Sequence, residues 1–379
     1  MELKIGILFP RSDMFPTLTR DFLNGLKLAL KISEGDLCIP KLIIESVGNA
    51  TGKSLFQAAE KMILQEDVAL TISFCGIFNL KELVGIYDAY KKPLIHVDLG
   101  GNVLRKEHIS PYVIHHTLNL WQSAYLSGAY AASTLGKNAA LAISFYDGGY
   151  HLVESFVQGF TENGGNVVYT YVSQFDYKSE SFETMINGIH NANPDFVHLL
   201  FSYKEGEKVF DLISKSSLNG KIPFLATPLM TEETAGFENF NLENVFSIST
   251  WDFDSENPQM KNFQKHYSNI YGNSPNLFAL LGYEAGQTLS FCLENENKIP
   301  SKIGDFVSSL KIDSPRGKII FNRFHETQIS LNKIKHFLFN ATHYKNTVVK
   351  TLDTSFREEL YEKFQNFPES GWQNPYIIT

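Results

Sequence analysis

The segment Gly48-Asn49-Ala50-Thr51-Gly52-Lys53-Ser54 comes nearest to a known chemistry, with glycine, lysine and serine in the order of a phosphate-binding loop. Such a loop needs four residues between its glycines so that successive backbone N–H groups wrap a phosphate. Here there are three, and Val47 stands where the first glycine belongs. The spacing therefore predicts an ordinary loop in which Thr51 or Ser54 caps a helix over 55–62. The histidines are scattered, and the adjacent pair His115-His116 would point to opposite faces of a strand, which does not suit one metal. There is no HExxH and no GxSxG. Ser73 and Ser144 end predicted strands outside any nucleophile elbow. Asp13, Asp98 and Asp147 fall near strand ends, where carboxylates often cap helices. Cys38, Cys75 and Cys292 lack CxxC spacing, which removes the usual zinc and dithiol readings; one disulfide stays open beside the reading of buried free thiols. No catalytic set, metal site or cofactor site is expected.

What recurs is a polar or aromatic turn after each predicted strand. The first block offers Arg11, Ser12 and Phe15, then Phe74 to Asn79 with Gly76 and Ile77, then Asp98-Leu99-Gly100-Gly101. The second offers Tyr146-Asp147-Gly148-Gly149-Tyr150, Ser202-Tyr203 and Thr227-Pro228-Leu229. In open α/β sheets such turns gather at the carboxyl edge, where ligands bind. Tyr150, set between a strand and a helix, is either a cap or part of a pocket. Two facing edges would enclose an aromatic, sparsely charged cleft suited to a small organic solute.

The elements that must hold these turns alternate. Strands read at 3–9, 42–45, 68–73, 94–97, 139–145, 167–172, 196–201, 223–226 and 245–249. Between them lie helical stripes, such as Phe22, Leu23, Leu26, Ala29 and Leu30. The helix after Tyr150 places Leu152, Val153, Phe156, Val157 and Phe160 on one face and stops at Gly164-Gly165. This alternation predicts parallel sheets covered by helices on both faces. After Thr250 helices read at 259–271, 282–293 and 303–310, then short β runs at 318–321 and 329–339, then a polar tail with Trp372. A chain of 379 residues favours two domains, and no polar linker divides it, so several crossing segments are expected. The net charge of −8 gives no footprint for nucleic acid, and no apolar stretch reaches membrane-spanning length. Met1 is followed within two residues by a strand, as in a cytosolic protein or a mature exported one whose leader has been replaced.

The ordered motifs resemble the type I periplasmic solute-binding proteins of ABC importers, the leucine/isoleucine/valine-binding kind. Ile5-Gly6 before Pro10 and Ser12, with Asn24-Gly25 and Leu28-Ala29 in the first helix, resembles the family opening. Lys92-Pro93-Leu94-Ile95 is similar to its second strand entry. Asp147-Gly-Gly-Tyr150 stands where the family has D-x-x-Y-G, with His151 in place of the last glycine. Asn193-Pro194-Asp195-Phe196-Val197, Gly282-Tyr283-Glu284-Ala285 and Ser314-Pro-Arg-Gly317-Lys-Ile-Ile-Phe321 follow in the family order. The resemblance covers about residues 3–340.

That resemblance implies two doubly wound, Rossmann-like parallel-sheet lobes, residues 1–118 plus 251–324 and 119–250 plus 325–379. Three segments would cross between them, near Leu118, Thr250 and Phe324. It implies a monomer that closes by a hinge on one small amino-acid-like or related organic solute and hands it to a membrane permease, without catalysis. The location would be periplasmic or lipid-anchored outside the cytoplasm. By position, ligand contacts fall on Ile77, Asn79, Leu99 and Gly100 in the first lobe and on Tyr150, Tyr203 and Leu229 in the second. Arg11, Ser12, Phe15, Gly76, Asp98 and Tyr146 stand beside them. Family members that bind amino acids hold the carboxylate with a serine and a threonine, where this chain has Ile77 and Gly100, and the ammonium with an acid, where it has Leu229. Glu232, Glu233 or Asp98 could replace that acid. Some members carry a disulfide near this site; Gly48 and Gly76 occupy those positions, so none is expected there. A ligand-sensing domain of a receptor or regulator is the alternative, and an enzyme on the same fold comes last.

Overall fold

A computed structural model describes residues 3–12, 14–32, 40–234, 240–296, 299–307, 310–339, 344–353 and 358–367. The first lobe winds β1 (Lys4–Phe9), α1 (Leu18–Ile32), β2 (Lys41–Ser46), α2 (Gly52–Glu60), β3 (Leu70–Ser73), α3 (Leu80–Tyr90), β4 (Leu94–Asp98) and β5 (Val113–Thr117). Its five strands are all parallel, in the order β2-β1-β3-β4-β5. Alternation along β1 explains the layers. Ile5, Ile7 and Phe9 enter the apolar cluster of Phe22 and Leu26, whereas Leu8 enters that of Leu55, Ala58 and Leu83. Helices thus cover both faces of the sheet.

The second lobe follows with α4 (Leu120–Thr134), β6 (Asn138–Ile143), α5 (Leu152–Glu162), β7 (Asn166–Val172), α6 (Glu183–Ala192), β8 (Phe196–Leu200), α7 (Tyr203–Lys215), β9 (Phe224–Ala226) and β10 (Val245–Ser249). The chain continues through α8 (Pro258–Tyr271), α9 (Leu277–Glu296), α10 (Ile303–Val307), β11 (Lys311–Ser314), β12 (Gly317–Phe321), β13 (Thr327–Ile329), β14 (Leu331–Phe339), β15 (Tyr344–Asp353) and α11 (Glu358–Phe364). The second sheet runs β15-β14-β10-β9-β8-β6-β7, with β14 and β15 added antiparallel at one edge. Strands β11 to β13 form a small antiparallel sheet. Helix α9 returns to pack on α1 so closely that a Cβ on Gly282 would lie 2.0 Å from the Phe22 carbonyl oxygen. No helix among the described residues is long and apolar enough to cross a membrane.

Three passages, β5 to α4, β10 to α8, and β13 to β14, are tied to one another by buried polar groups. Arg316 donates to both carboxylate oxygens of Glu284 at 2.8 and 2.7 Å, to Thr250 Oγ1 at 2.8 Å and to the Thr117 carbonyl at 3.2 Å. Thr250 Oγ1 donates in turn to the Leu118 carbonyl at 3.0 Å, and Asn119 Nδ2 to the Thr327 carbonyl at 2.9 Å. Burial alone would raise the Glu284 carboxyl, but Arg316 and His116 hold it at about 2. The adjacent histidines do diverge: His115 Nδ1 meets His96 Nδ1 at 3.2 Å, and His116 Nε2 meets Glu284 at 2.8 Å.

Strands β5, β11 and β15 and helix α11 are additions to the sequence reading. In β5 two histidines interrupt the apolar run, yet both are fully buried. Part of the predicted polar tail is β15 and α11; Trp372 and Cys38 lie outside the described residues, while Cys75 and Cys292 are buried free thiols. The glycine-lysine-serine segment is a capped loop: Thr51 Oγ1 accepts from the Ser54 N–H at 3.3 Å, and Ser54 Oγ donates to the Val47 carbonyl.

Candidate functional site

The strand-end turns of the two sheets meet in a seam. After β1, Ser12 Oγ accepts the Phe15 N–H at 2.9 Å, a short turn that sends Phe15 inward. Its ring stands edge-on to Tyr203 of the second lobe at 4.1 Å and to Phe278 at 4.9 Å. Tyr203 begins α7 with φ +40, a conformation that a tyrosine rarely adopts and that places it at this contact. After β4, Asp98 Oδ1 accepts the Gly100 N–H at 2.6 Å. Gly100 has φ +78, and a Cβ there would meet the Asn119 nitrogen at 2.7 Å, so only glycine fits against the start of α4. One residue on, Gly101 presents bare backbone to the Tyr150 ring, whose Cδ1 would lie 3.4 Å from a Cβ.

Tyr150 is thus buried and does not cap α5, whose N-cap position is held by His151. Burial, then Asp147 and Asp98, drive the Tyr150 hydroxyl well above its ordinary range. Burial, then Glu232 and Asp21, do the same at Tyr203. Both tyrosines are therefore neutral donors or acceptors at physiological pH.

Two hydrogen bonds close the seam beside Tyr150. The His151 N–H donates to Asn102 Oδ1 at 3.0 Å, and the Val103 N–H donates to His151 Nδ1 at 3.1 Å. A cavity of about 200 Å³ opens next to them, lined by Ile77, Phe78, Asn102, Val103, His108 and His151 among others.

The structure brings Phe15, Tyr203, Gly100 and Tyr150 to this seam, with Ile77 half-buried on the adjoining cavity. Other singled-out residues turn elsewhere. The Arg11 side chain is exposed while its N–H donates to the Gly48 carbonyl, and Asn79 Nδ2 donates to the Ala50 carbonyl. The Gly76 carbonyl contacts His96 Nε2 at 3.2 Å, and Leu99 is core. Tyr146 packs with Phe145 and Phe175, and Leu229 lies against Leu120, Leu152 and Leu200 beside a small internal gap. Asn102, His108 and Phe278 escaped the sequence reading, since each is a lone residue without motif spacing. His151 carried a signal, as the residue that departs from the Y-G pair.

Residues 2–329 match the family model described as periplasmic binding protein. Among curated proteins no sequence matches this chain. A solute-binding protein of an ABC transporter from R. palustris, solved with benzoate, is 20% identical, with 95% of this chain and 98% of that chain covered and a TM-score of 0.77. An ABC transporter substrate-binding protein from Sphaerobacter thermophilus superposes with a TM-score of 0.80 at 19% identity, covering 93% and 98%. A leucine-binding protein from Thermotoga maritima gives 0.70 at 16% identity, covering 93% and 99%. At these identities the likeness carries the fold, while the family match spans most of the sequence: the chain belongs to the periplasmic binding proteins.

Proposed function

We propose that this protein captures a small organic solute between its lobes and delivers it, unchanged, to the membrane permease of an ABC importer outside the cytoplasm. The lobes in this reading are residues 1–118 plus 251–324 and 119–250 plus 325–379. The observation that carries it is the seam itself: Phe15 against Tyr203 and Gly101 against Tyr150, each pair joining strand-end turns of two parallel sheets. A hinged pair of lobes gains differential affinity for the closed state when a solute touches both walls. Ile77, Gly100 and Leu229 offer no side-chain partner for an α-carboxylate or an ammonium, and the walls are aromatic. An apolar or aromatic organic solute therefore suits the site better than a free α-amino acid. Similar structures include two solved with benzoate and with 3,4-dihydroxybenzoic acid and one described as a leucine-binding protein.

Mass spectrometry of solute released from the purified protein tests this reading, followed by thermal shift with the recovered compound. The melting temperature should rise with concentration as mass action requires. Recovery of a chemically altered product from added solute would replace binding by catalysis.

A further inference from the structure

We propose that residues 358–367 act as a clasp: helix α11 rides on the second lobe, and its end grips the first, holding the lobes together before any solute arrives. This rests on the hinged, two-lobe reading above and adds a part that the reading does not contain.

The chain runs along an edge of the second sheet as β15 and comes back to the passages between the lobes as α11. Its hold on the second lobe is apolar and buried. Tyr361 and Phe364 are 1% and 0% exposed, and the Trp121 ring of α4 stands edge-on to Tyr361 at 4.9 Å and tilted against Phe364 at 5.4 Å. Gln122 Nε2 donates to the Tyr361 hydroxyl at 3.0 Å, and Lys363 pairs with Glu162 at the end of α5. Beside the third passage, Phe324 stacks on Tyr361 at 4.5 Å, and Asn322 Nδ2 donates to the same hydroxyl at 3.0 Å.

The hold on the first lobe is of another kind. A helix end leaves carbonyls without partners of its own. There Arg105 Nη1 donates to the Gln365 carbonyl at 2.7 Å and Nη2 to the Phe367 carbonyl at 2.8 Å, a fork that a lysine ammonium does not reproduce. The Gln365 side chain grips the backbone on either side of Arg105. Its Oε1 accepts the Lys106 N–H at 3.1 Å, and its Nε2 donates to the Leu104 carbonyl at 2.9 Å. Lys106 Nζ pairs with Glu362 at 2.9 Å. These polar groups are half-buried or exposed, so water can replace each partner at small net cost. Uncovering Tyr361 and Phe364 would instead expose two buried rings. When the lobes part, α11 therefore stays with the second lobe and lets go of the first.

The short segment 102–106 joins the clasp to the seam. Asn102 and Val103 bond His151 of the second lobe, and Leu104, Arg105 and Lys106 hold the clasp. Two fastenings on one segment act in concert. The clasp thus favours the closed arrangement of the empty protein, and the same free energy slows release of a bound solute.

Residue-resolved hydrogen exchange of the protein without solute tests the clasp. The probe is the His151 amide, whose hydrogen bond crosses the seam to Asn102. Gln365→Ala removes two bonds of the grip and leaves Tyr361 and Phe364 in place. Exchange at His151 should then quicken at least about fivefold, the scale of two hydrogen bonds, while Ile7 in β1 and Leu199 in β8 stay unchanged. Arg105→Lys keeps the charge and loses the fork; it should act in the same direction and serves if the first variant fails to fold. A faster Lys106 amide with an unmoved His151 amide would overturn the clasp, leaving α11 a layer of the second lobe and solute capture untouched. An equal rise at His151, Ile7 and Leu199 would mean general destabilisation and overturn it too. A His151 response with no solute recovered by mass spectrometry would overturn solute capture and leave the clasp standing.

Discussion

Tyr150 is buried, with its ring against the bare backbone of Gly101 from the opposite lobe. In the proposed reading, a ring in that place acts on solute binding through the closed state more than on either lobe alone. Tyr150→Ala should therefore weaken binding of the recovered solute at least about tenfold, while the unfolding free energy without solute, read from urea midpoints, falls by much less than core truncation usually costs, about 3–5 kcal/mol. Unchanged affinity in a folded variant would remove Tyr150 from the site. Glu326 makes a separate, pH-dependent prediction. Burial raises its carboxyl to about 7, with Asp98 adding to the rise, although Tyr361 and Thr117 donate to it. The native state thus binds this proton where the unfolded chain, with a carboxyl near its ordinary 4.5, does not. Its contribution is full below about 4.5 and is lost as pH rises through about 7. The stability advantage of the unaltered protein over Glu326→Gln, read from urea midpoints, should be larger at pH 5 than at pH 8. An advantage that grows toward pH 8 would show that Glu326 is ionised in the fold.

At the scale of elements, helix α9 holds the first lobe together by a contact that tolerates no side chain. A methyl group on Gly282 would sit 2.0 Å from the Phe22 carbonyl oxygen and 2.8 Å from its carbon, both backbone atoms of α1. Neither can move without shifting its helix, so Gly282→Ala should cost about 1–3 kcal/mol or more. Hydrogen exchange should quicken in α1 and α9 and stay unchanged in β6 to β10. A uniform change across both lobes would mean that the crossing is not local to the first. The βαβ units were legible because apolar runs and 3.6-residue stripes alternate cleanly, and Thr51 was legible as a cap from its spacing alone. Strand β5 was not, because Val113-Ile114-His115-His116-Thr117 is polar in sequence, and its histidines find buried partners on β4 and α9. The seam shows the same division. Phe15, Tyr150 and Tyr203 follow from strand-end position, whereas Asn102 and His108 become informative only when the fold turns their hydrogen bonds toward one cavity.

For the whole molecule, the proposed hinge reading makes the balance between open and closed lobes decide how tightly a solute is held. Apparent affinity falls with the fraction of molecules in the binding-competent state. Between the strand-end turns the seam carries modest terms, two cross-lobe hydrogen bonds at His151 and the edge contact of Phe15 with Tyr203 at 4.1 Å, beside the bonds that Arg105 makes to the carbonyls of Gln365 and Phe367. Such aromatic pairs contribute about 0.5–1.5 kcal/mol beyond their buried area. Removing one should change the ratio of open to closed molecules by roughly two- to tenfold. The passages between the lobes are braced through Arg316 and Asn119, and the proposed hinge would turn about them. Tyr203→Ala should then give a larger radius of gyration in solution scattering than the unaltered protein without solute. Saturating amounts of the recovered solute should bring both proteins to the same smaller value, because a solute that contacts both walls restores the closed state whatever the seam contributes. Identical radii in all four samples would make the two lobes one rigid body, and solute entry would then have to proceed without the hinge.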